Sequence, residues 1–242
     1  MNDTLAQVFA SAVRNEPTHP LLTWYDDAGG DRSELSGTTL ENWVAKTANL
    51  LVDDAGLGPD DAVAVLLPPH WQSAAILLGC WVAGLAVDHG PEPQPVQALF
   101  TTADRADAAA RWHAADRYAT GLLPMAMPLR DLPAGFADFV VEVRGAGDRF
   151  TPHHRVTAND RAIAGPVESS HAAVCAQAVD RAAELGIKAG DRVLFDAAAH
   201  PEPLDWLLAP LSVGASVVLC ANLDRRALAD RVTAERVTVA LA

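Results

Sequence analysis

Apolar side chains in the first third of the chain are spaced in a way that predicts helices alternating with buried strands. Residues 4–14 carry them at helical intervals, and residues 21–25 (LLTWY) are typical of a strand. A capping box at Thr38, with Glu41 three positions later, predicts the start of the next helix. The runs AVAVLL, SAAILLGCWVAG and LAV that follow predict a buried strand, a buried helix and a further strand.

The middle of the chain, residues 91–160, is rich in proline and less regular. Residues 102–118 predict a helix on which three aspartates alternate with three arginines, Arg105 and Arg111 among them, in the manner of a solvated face. Residues 138–144 (DFVVEVR) alternate between apolar and polar side chains, which predicts a strand. This region therefore supplies secondary structure and no recognisable motif.

The last third of the chain repeats the order of the first. Ser170 predicts the cap of a helix that ends at Gly186, and a strand, a buried helix and a second strand follow. Residues 224–237 predict another helix, and residues 237–242 (VTVALA) predict a final strand. Because this strand is apolar throughout, we expect it to be an inner or covered strand. At an open edge it would instead favour the pairing of two copies of the chain.

The similarity between the two ends of the chain is an internal repeat. Residues 44–87 and 174–217 align at a constant offset of 130 positions without a gap, and ten of these 44 positions are identical. Both segments predict the order helix, turn, strand, helix, strand, so we interpret them as two copies of one α/β unit. The predicted fold class is α/β, a single layered region over residues 1–242 with mostly parallel sheets, helices on both faces and two related halves.

Composition excludes several classes of protein. The chain has 31 Asp and Glu residues against 18 Lys and Arg residues, which gives a net charge of −13. A broad nucleic-acid-binding face is excluded, because the phosphates would be repelled. Half of the residues are hydrophobic and a fifth are charged, which excludes disorder as the main state. Only Lys46 and Lys188 are lysines, so few ammonium groups are present to hold an anionic ligand.

The cysteines and the N-terminus indicate the compartment. Cys80, Cys175 and Cys220 each lie in an apolar run and lack the spacing of a zinc or redox motif, which is typical of a reduced, intracellular protein. The N-terminus has no basic region followed by a long apolar stretch, as a signal peptide would have. The longest strictly apolar run, residues 74–87, is shorter than the ~20 residues of a membrane span. We therefore expect a soluble, cytoplasmic protein that has no membrane partner.

Several segments carry a resemblance to a known family. Residues 4–17 (TLAQVFASAVRNEP) and 36–87 resemble the opening of adenylate-forming enzymes, the AMP-binding superfamily of acyl-CoA synthetases, nonribosomal peptide adenylation domains and luciferases. Residues 169–219 resemble the stretch that follows the phosphate loop of that family, and residues 235–242 resemble the strand after it. The resemblance implies the N-terminal fold of an acyl-CoA synthetase and, for a complete member, the adenylation of a carboxylic acid.

The sequence departs from this family where the phosphates of ATP would bind. The family's loop is rich in Ser, Thr and Gly and ends in Pro-Lys-Gly, so that backbone N–H groups and a lysine hold the phosphates. The residues at this place, AIAGPVESSH, offer only Gly165, Ser169 and Ser170 as small or hydroxyl residues, and Glu168 adds a negative charge. The family's Tyr-Gly-x-Thr-Glu motif, ribose-binding aspartate and adenylation lysine have no counterpart in the 242 residues. The resemblance therefore implies a degenerate member that lacks the phosphate-binding loop.

Candidate site residues follow from the same resemblance, which implies a nucleotide or acyl pocket near Gly165, Ser169, Ser170, His171 and His200. In the family, a histidine or aromatic residue at the position of His200 lines the acyl-adenylate pocket. The first copy of the repeat has a histidine at the equivalent position, so a packing role is the alternative. Ser169, Ser170 and His171 also suggest a nucleophile and its base, but neighbouring residues at a helix start do not face each other and serine is the expected cap there. We assign no catalytic residue and no metal ligand.

The sequence thus leads to one main hypothesis and two alternatives. The main hypothesis is a non-catalytic ligand-binding or regulatory module that holds a small acyl or adenylate ligand, or a protein partner, in a cleft between its halves. A homodimer is the other partner considered, and no cofactor is expected; ATP and AMP are the nucleotides that the resemblance would allow. The alternatives are an adenylate-forming ligase completed by a partner chain, and a small hydrolase or transferase with an unrecognised site.

Overall fold

Two sheets and eight α-helices organise the chain in the computed structural model, which describes residues 2–242. The α-helices are α1 (Leu5–Asn15), α2 (Gly37–Asn49), α3 (Trp71–Ala83), α4 (Ala106–Ala109), α5 (Phe139–Gly145), α6 (His171–Glu184), α7 (Ala209–Val213) and α8 (Leu228–Ala234). The strands are β1 (Pro20–Asp26), β2 (Asp31–Ser36), β3 (Ala62–Leu66), β4 (Ala86–Asp88), β5 (Ala98–Thr102), β6 (Asp116–Thr120), β7 (Ala137–Asp138), β8 (Arg161–Ile163), β9 (Ser169–Ser170), β10 (Arg192–Asp196), β11 (Ser216–Ala221) and β12 (Val239–Leu241). A π-helical turn, Leu50–Asp54, extends α2, and another, Leu204–Leu208, leads into α7.

The strands form a seven-stranded sheet and a five-stranded sheet. The first has the order β7-β6-β5-β3-β4-β8-β9 and the second the order β12-β10-β11-β1-β2. Neighbouring strands run parallel except in the pairs β1–β2 and β8–β9. This arrangement confirms the predicted α/β class with mostly parallel sheets. The two ends of the chain meet in the five-stranded sheet, because β1 lies directly beside β11.

Helix α3 lies at the centre of the core and contacts both sheets. Its apolar residues surround the whole helix, and all but the last two of its residues are buried. It packs against α1 and α2, against β1 of the five-stranded sheet and against β3 and β4 of the seven-stranded sheet. The fully buried Trp81 donates from Nε1 to the carbonyl oxygen of Ala162 in β8 at 2.9 Å. Both sheets therefore depend on α3 for their packing.

Helices α2 and α3 approach each other closely at Gly79. A Cβ atom added at Gly79 would lie 2.7 Å from Cβ of Thr47 and 3.3 Å from the carbonyl oxygen of Val44, both on α2. The first distance is too short for two carbon atoms, so the helices would have to separate to admit a side chain. Glycine at this position thus sets the distance between the two helices.

Substituting Gly79 by alanine is expected to lower the free energy of unfolding by about 1–3 kcal/mol, the usual cost of overpacking. The higher helix propensity of alanine, worth ~1 kcal/mol, offsets only part of this strain. Urea denaturation at neutral pH measures the effect. Gly58→Ala is the control, since a Cβ atom at Gly58 would have no neighbour within 4 Å. Equal losses of stability in the two variants would contradict the close contact.

The two segments related by the offset of 130 positions contain corresponding elements. Strands β3 and β10 occupy equivalent positions, and each pairs in parallel with the next strand, β4 or β11, in the same register. The φ angles of the equivalent residues Gly84 and Gly214, which end α3 and α7, are 83° and 76°. The duplication itself stays a prediction, which these matching geometries support.

Two predictions for the middle of the chain are wrong. Residues 138–144, predicted as a strand, form the two-residue β7 followed by α5. The Asp138 carboxylate caps this helix by accepting the backbone N–H groups of Val140 at 2.8 Å and Val141 at 3.4 Å. Residues 102–118, predicted as one helix, contain a 3₁₀ turn, the short α4 and the start of β6. The arginines of this segment therefore do not share the face of a single helix.

Two expectations about individual elements are also corrected. Helix α2 is capped by Ser36, whose Oγ accepts the backbone N–H of Thr39 at 3.2 Å, and not by the predicted Thr38. The Thr38 hydroxyl instead donates to the carbonyl oxygen of Pro17 at 3.0 Å. Strand β12, expected to be inner or covered, pairs only with β10 among residues 2–242 and forms an edge of the five-stranded sheet. The pairing of two copies through this edge stays a prediction.

Candidate functional site

A cleft of about 670 Å³ opens where strands of the two sheets end. One wall consists of residues that follow β3, β4 and β5, and the other consists of residues that follow β10. The volume is in the ordinary range for a small-molecule site. Ligands of parallel α/β proteins characteristically bind at the carboxyl ends of the strands, because the connecting loops converge there. The cleft is therefore the candidate functional site.

Hydrogen-bond donors are distributed among the apolar residues of this cleft. Arg105 and Arg111 bring two guanidinium groups to it, and Nη2 of Arg111 donates to the carbonyl oxygen of Pro91 at 3.0 Å. Thr101 Oγ1 and Trp206 Nε1 are buried and have no hydrogen-bond partner within the described chain. Buried polar atoms normally have a partner, so these two are unsatisfied groups inside the wall of the cleft, closed to solvent in this structure. Arginine side chains can only donate, which favours an acceptor-rich, anionic ligand.

A pair of side chains joins the two walls near the surface of the cleft. His89, which follows β4, places Nδ1 3.5 Å from an Oε2 carboxylate oxygen of Glu202, which follows β10. Glu202 is 63% exposed and His89 is 31% exposed, so water screens the interaction. The contact links a residue that follows β4 to one that follows β10 across the cleft.

The structure places His200 beside the cleft. Its neighbours Ala198 and Pro201 line the cavity, and its ring packs edge-on against Phe195. Its Nδ1 atom lies 3.0 Å from Oδ2 of Asp205, which fixes the orientation of the imidazole ring.

Arg181 holds the carboxylate that orients His200. The guanidinium donates to both oxygens of Asp205, at 2.7 and 3.1 Å. These bonds, together with that from His200, outweigh the effect of burial and keep the pKa of Asp205 below its ordinary value. The carboxylate is therefore charged at neutral pH, and the imidazole is held in place from one side.

Gly165 lies against a buried carboxyl group. Its φ angle is 116°, and an added Cβ atom would lie 3.3 Å from Oδ2 of Asp88, the last residue of β4. Asp88 is 1% exposed; its Oδ1 accepts the backbone N–H of Gly90 at 2.8 Å, and its Oδ2 has no partner within the described residues. Burial raises the pKa of Asp88 above the ordinary value. The loop that the resemblance relates to phosphate binding is thus backed by a carboxyl group.

The remaining charges of this loop pair with each other. Glu168 accepts a hydrogen bond from Nη1 of Arg161 at 2.6 Å, and Nη2 of Arg161 donates to the carbonyl oxygen of Asp60 at 2.5 Å. Lys46, the first of the two lysines, donates to the carbonyl oxygen of Ala146 at 2.6 Å. Lys188, the second, lies in the turn before β10, where its backbone N–H bonds to Asp191. The charged groups of Arg161 and Lys46 therefore already have protein acceptors.

Ser169, Ser170 and His171 do not form a nucleophile–base pair. Ser169 lies in β9, and Oγ of Ser170 accepts the backbone N–H of Ala173 at 3.3 Å as the N-cap of α6. His171 is fully buried, and its Nδ1 accepts the backbone N–H of Leu5 at 3.3 Å. Burial lowers the pKa of His171 to about 4, so the ring is neutral at physiological pH. The side chain joins α6 to α1, and the geometry gives no support to a hydrolase.

Four of the five predicted site residues lie on the segment from Gly165 to His171, which is not part of the cleft lining, and His200 lies beside the wall that follows β10, among different partners. The residues that sequence reasoning missed are Arg105 and Arg111, which were assigned to a solvated helix face, and Thr101 and Trp206. Neither arginine carried a signal of its own: the run LFTT shortly before Arg105 indicates a strand, but it does not indicate that the arginine lines a cleft.

The described residues were also compared with the requirements of a metal site and of a membrane span. Among residues 2–242, no three His, Cys, Asp or Glu side chains are grouped so that they could hold a metal ion. None of the helices described is long and apolar enough to cross a membrane.

Comparisons with known proteins agree with the fold. A model of the family described as AMP-binding enzyme matches residues 9–89. A TIGR03089 family protein of Mycobacterium tuberculosis (strain ATCC 25618 / H37Rv) is 40% identical over 235 residues, which are 93% of this chain and 93% of that protein.

Several solved structures share the fold at low sequence identity. An acyl-CoA synthetase of Brucella canis has a TM-score of 0.76 and 19% identity, with 98% of this chain and 46% of that chain covered. A benzoate CoA ligase of Burkholderia xenovorans LB400 has a TM-score of 0.72 and 17% identity, with 98% and 49% covered. The N-terminal domain of FACL13 from Mycobacterium tuberculosis has a TM-score of 0.68 and 14% identity, with 99% and 62% covered. The chain thus spans about half the length of the two enzymes that it matches.

Proposed function

Because the chain belongs to the same family as the TIGR03089 protein of Mycobacterium tuberculosis, and because its residues 9–89 match the model of AMP-binding enzymes, we propose that it is a ligand-binding member that does not form adenylates on its own. The cleft between the two sheets is its binding site, and an anionic ligand with an apolar portion, such as an acyl group or an acyl adenylate, is the ligand. Binding of such a ligand would serve a regulatory or carrier role.

The charge of the loop at residues 164–170 carries the proposal that the chain does not adenylate. A triphosphate at this loop would meet the exposed carboxylate of Glu168, with the buried carboxyl group of Asp88 behind Gly165, while Lys46 and Lys188 belong to other parts of the fold. Arg161 is engaged by Glu168 and by a backbone carbonyl. Negative charges beside the loop would repel the phosphates. The loss of a single preorganised group that stabilises the transition state already costs roughly 3 kcal/mol.

The donors of the cleft support an anionic ligand. Arg105 and Arg111, both among the lining residues, supply positive charge for such a ligand. Leu67 and neighbouring apolar side chains offer a surface for a hydrocarbon or aromatic group. A carboxylate or phosphate attached to an apolar group would satisfy both kinds of surface at once.

Replacing Arg105 or Arg111 by glutamine is expected to weaken binding of a non-hydrolysable acyl-adenylate mimic about tenfold each, since a charge-assisted hydrogen bond is lost. Isothermal titration calorimetry with the mimic, and with AMP and ATP separately, measures these effects. Arg130→Gln is the matched control, because Arg130 is exposed and lies outside the cleft lining.

The outcomes of these measurements separate the proposal from its alternative. Absence of binding of all three ligands, or equal effects of the Arg130 and cleft variants, would refute ligand binding in the cleft. Exchange of labelled pyrophosphate into ATP by the isolated chain, with any of a panel of carboxylic acids, would show that it is an adenylating ligase. If this exchange occurred only after addition of a second polypeptide, the result would favour a ligase completed by a partner chain. This alternative is motivated by the solved structures, which are about twice as long as this chain.

A further inference from the structure

A second cavity lies between helices α1 and α2 and is called here the α1–α2 groove. Its volume is about 730 Å³, and it is closed on one side by residues 148–151. We propose that this groove binds an amphipathic cation, a small aromatic or alkyl amine. It shares no lining residue with the cleft between the sheets, so the inference does not rest on the function proposed for that cleft.

The inner part of the groove is apolar and has room for a ring. Helix α1 contributes Phe9 with Ala6 and Ala10, and α2 contributes Ala45. Residues 6 and 10 are one helical turn apart and face the same side, so two alanines leave the space that larger side chains would fill. Phe150 brings a second aromatic ring from the closing segment. The size and the aromatic lining suit a small ligand with a flat or branched apolar body.

The wall formed by the closing segment is held by hydrogen bonds across the chain. Nζ of Lys46 donates to the carbonyl oxygen of Ala146 at 2.6 Å, and Nδ2 of Asn49 donates to those of Gly147 at 2.7 Å and Arg149 at 2.9 Å. A Cβ atom at Gly147 would lie 3.2 Å from Nδ2 of Asn49, so glycine allows the closing segment to pack closely against α2. A groove with a fixed wall loses little conformational freedom when a ligand enters.

The charge around the opening selects the sign of the ligand. Glu41 on α2 and Asp148 on the closing segment bring two carboxylates, and Arg149 brings one guanidinium. Neither carboxylate takes part in the ion pairs found among residues 2–242. An ammonium group at the opening would lie between the carboxylates while its apolar body enters the groove.

The experiment compares three ligands of one shape and different charge. Phenethylamine, phenethyl alcohol and hydrocinnamate are titrated into the isotope-labelled full chain, and backbone amide shifts are followed by NMR. We expect the amine to bind at least fivefold more tightly than the alcohol, and the alcohol more tightly than the carboxylate. The largest shifts are expected at Ala6, Ala10 and Phe150, and not at Thr101 or Arg105 of the cleft.

Variants test the two parts of the site separately. Glu41→Gln and Asp148→Asn are each expected to weaken the amine twofold to fivefold, as is usual for an exposed charge pair, and to leave the alcohol unchanged. Asp131→Asn is the matched control, since Asp131 is exposed and outside the groove. Ala10→Leu, which fills the groove, should abolish binding of both, and a thermal melt establishes that this variant is folded.

The results that would overturn the inference are equally definite. Absence of shifts at the highest soluble amine concentration would do so, as would equal or tighter binding of hydrocinnamate. Shifts confined to the cleft between the sheets would place the amine there and refute the groove. If the chain bound the amine in the groove but bound no acyl-adenylate mimic, this inference would hold and the proposed function would fail.

Discussion

Replacing Glu235 by alanine is expected to lower the free energy of unfolding by about 3–5 kcal/mol, the usual cost of removing one partner from a buried ion pair. Glu235 is 8% exposed and accepts hydrogen bonds from Arg192, Arg32 and Tyr25. It follows α8 and ties that helix to β10, β1 and β2. Without the carboxylate, the 15%-exposed Arg192 loses the acceptor that compensates for its removal from water.

Urea denaturation at neutral pH measures this loss. Glu184→Ala is the matched control, since Glu184 also pairs with an arginine, Arg181, at 2.8 Å but is 64% exposed. That variant is expected to lose less than about 1 kcal/mol, as is typical of a surface pair. Similar losses of unfolding free energy in the two variants would show that the hydrogen bonds of Glu235 do not stabilise the packing of α8.

The same group gives the protein a defined response to acid. Burial alone would raise the pKa of Glu235, but the hydrogen bonds from Tyr25, Arg192 and Arg32 outweigh it and lower the pKa from 4.5 to about 2. A carboxyl group with a lowered pKa stabilises the fold fully above the pKa of the unfolded chain. Its contribution of about 3 kcal/mol is therefore lost as the pH falls from 4.5 to 2. Glu235→Gln should lack this part of the pH dependence of the unfolding free energy.

Replacing Trp81 by alanine is expected to cost about 3–5 kcal/mol, which is typical of a fully buried aromatic residue that leaves a cavity. The loss includes the hydrogen bond from its indole to the carbonyl oxygen of Ala162. Because Ala162 lies in β8, just before the loop at Gly165, the variant should also loosen that loop. Helix α3, which carries Trp81, touches both sheets, so the effect should spread to the whole fold.

Thermal and urea denaturation test this expectation, and Trp43→Ala is the comparison. Trp43 has the same side chain, lies on α2 and is only partly buried, with its ring edge-on to Trp71. We expect it to lose less than half as much stability as Trp81→Ala. Amide hydrogen exchange in the loop after β8 adds a local readout, and unchanged exchange there would separate the loop from α3.

The parts of the fold that the sequence predicts are those whose local pattern and burial agree. Strands β3 and β10 are continuous apolar runs, because they are covered on both faces, and both were predicted. Residues 138–144 were predicted wrongly, since in a segment of this length the same apolar positions fit a strand or one side of a short helix. The capping hydrogen bonds of Asp138 favour the helix. They form only in the helical backbone conformation, so the apolar pattern of the sequence does not reveal them.

The cleft was not predictable from the sequence, because its walls come from segments about a hundred residues apart. Arg105 and Arg111 carried no signal of their own, and the error in the predicted helix assigned them to solvent. The lack of a partner for Thr101 and Trp206 is a property of the packed molecule, and sequence patterns do not contain it. The place where the sequence departs from the family's phosphate loop was predictable, since it depends on which residues stand between β8 and α6.

The position of β1 beside β11 has a consequence for synthesis on the ribosome. Leu22 pairs with Val217, so the first hairpin leaves the exit tunnel roughly 200 residues before its neighbour exists. At usual elongation rates this wait lasts on the order of 10–40 s, during which the apolar residues of β1 have no native cover on that edge. Nascent chains should therefore recruit holding chaperones until β11 emerges, and completed chains should fold slowly for their size.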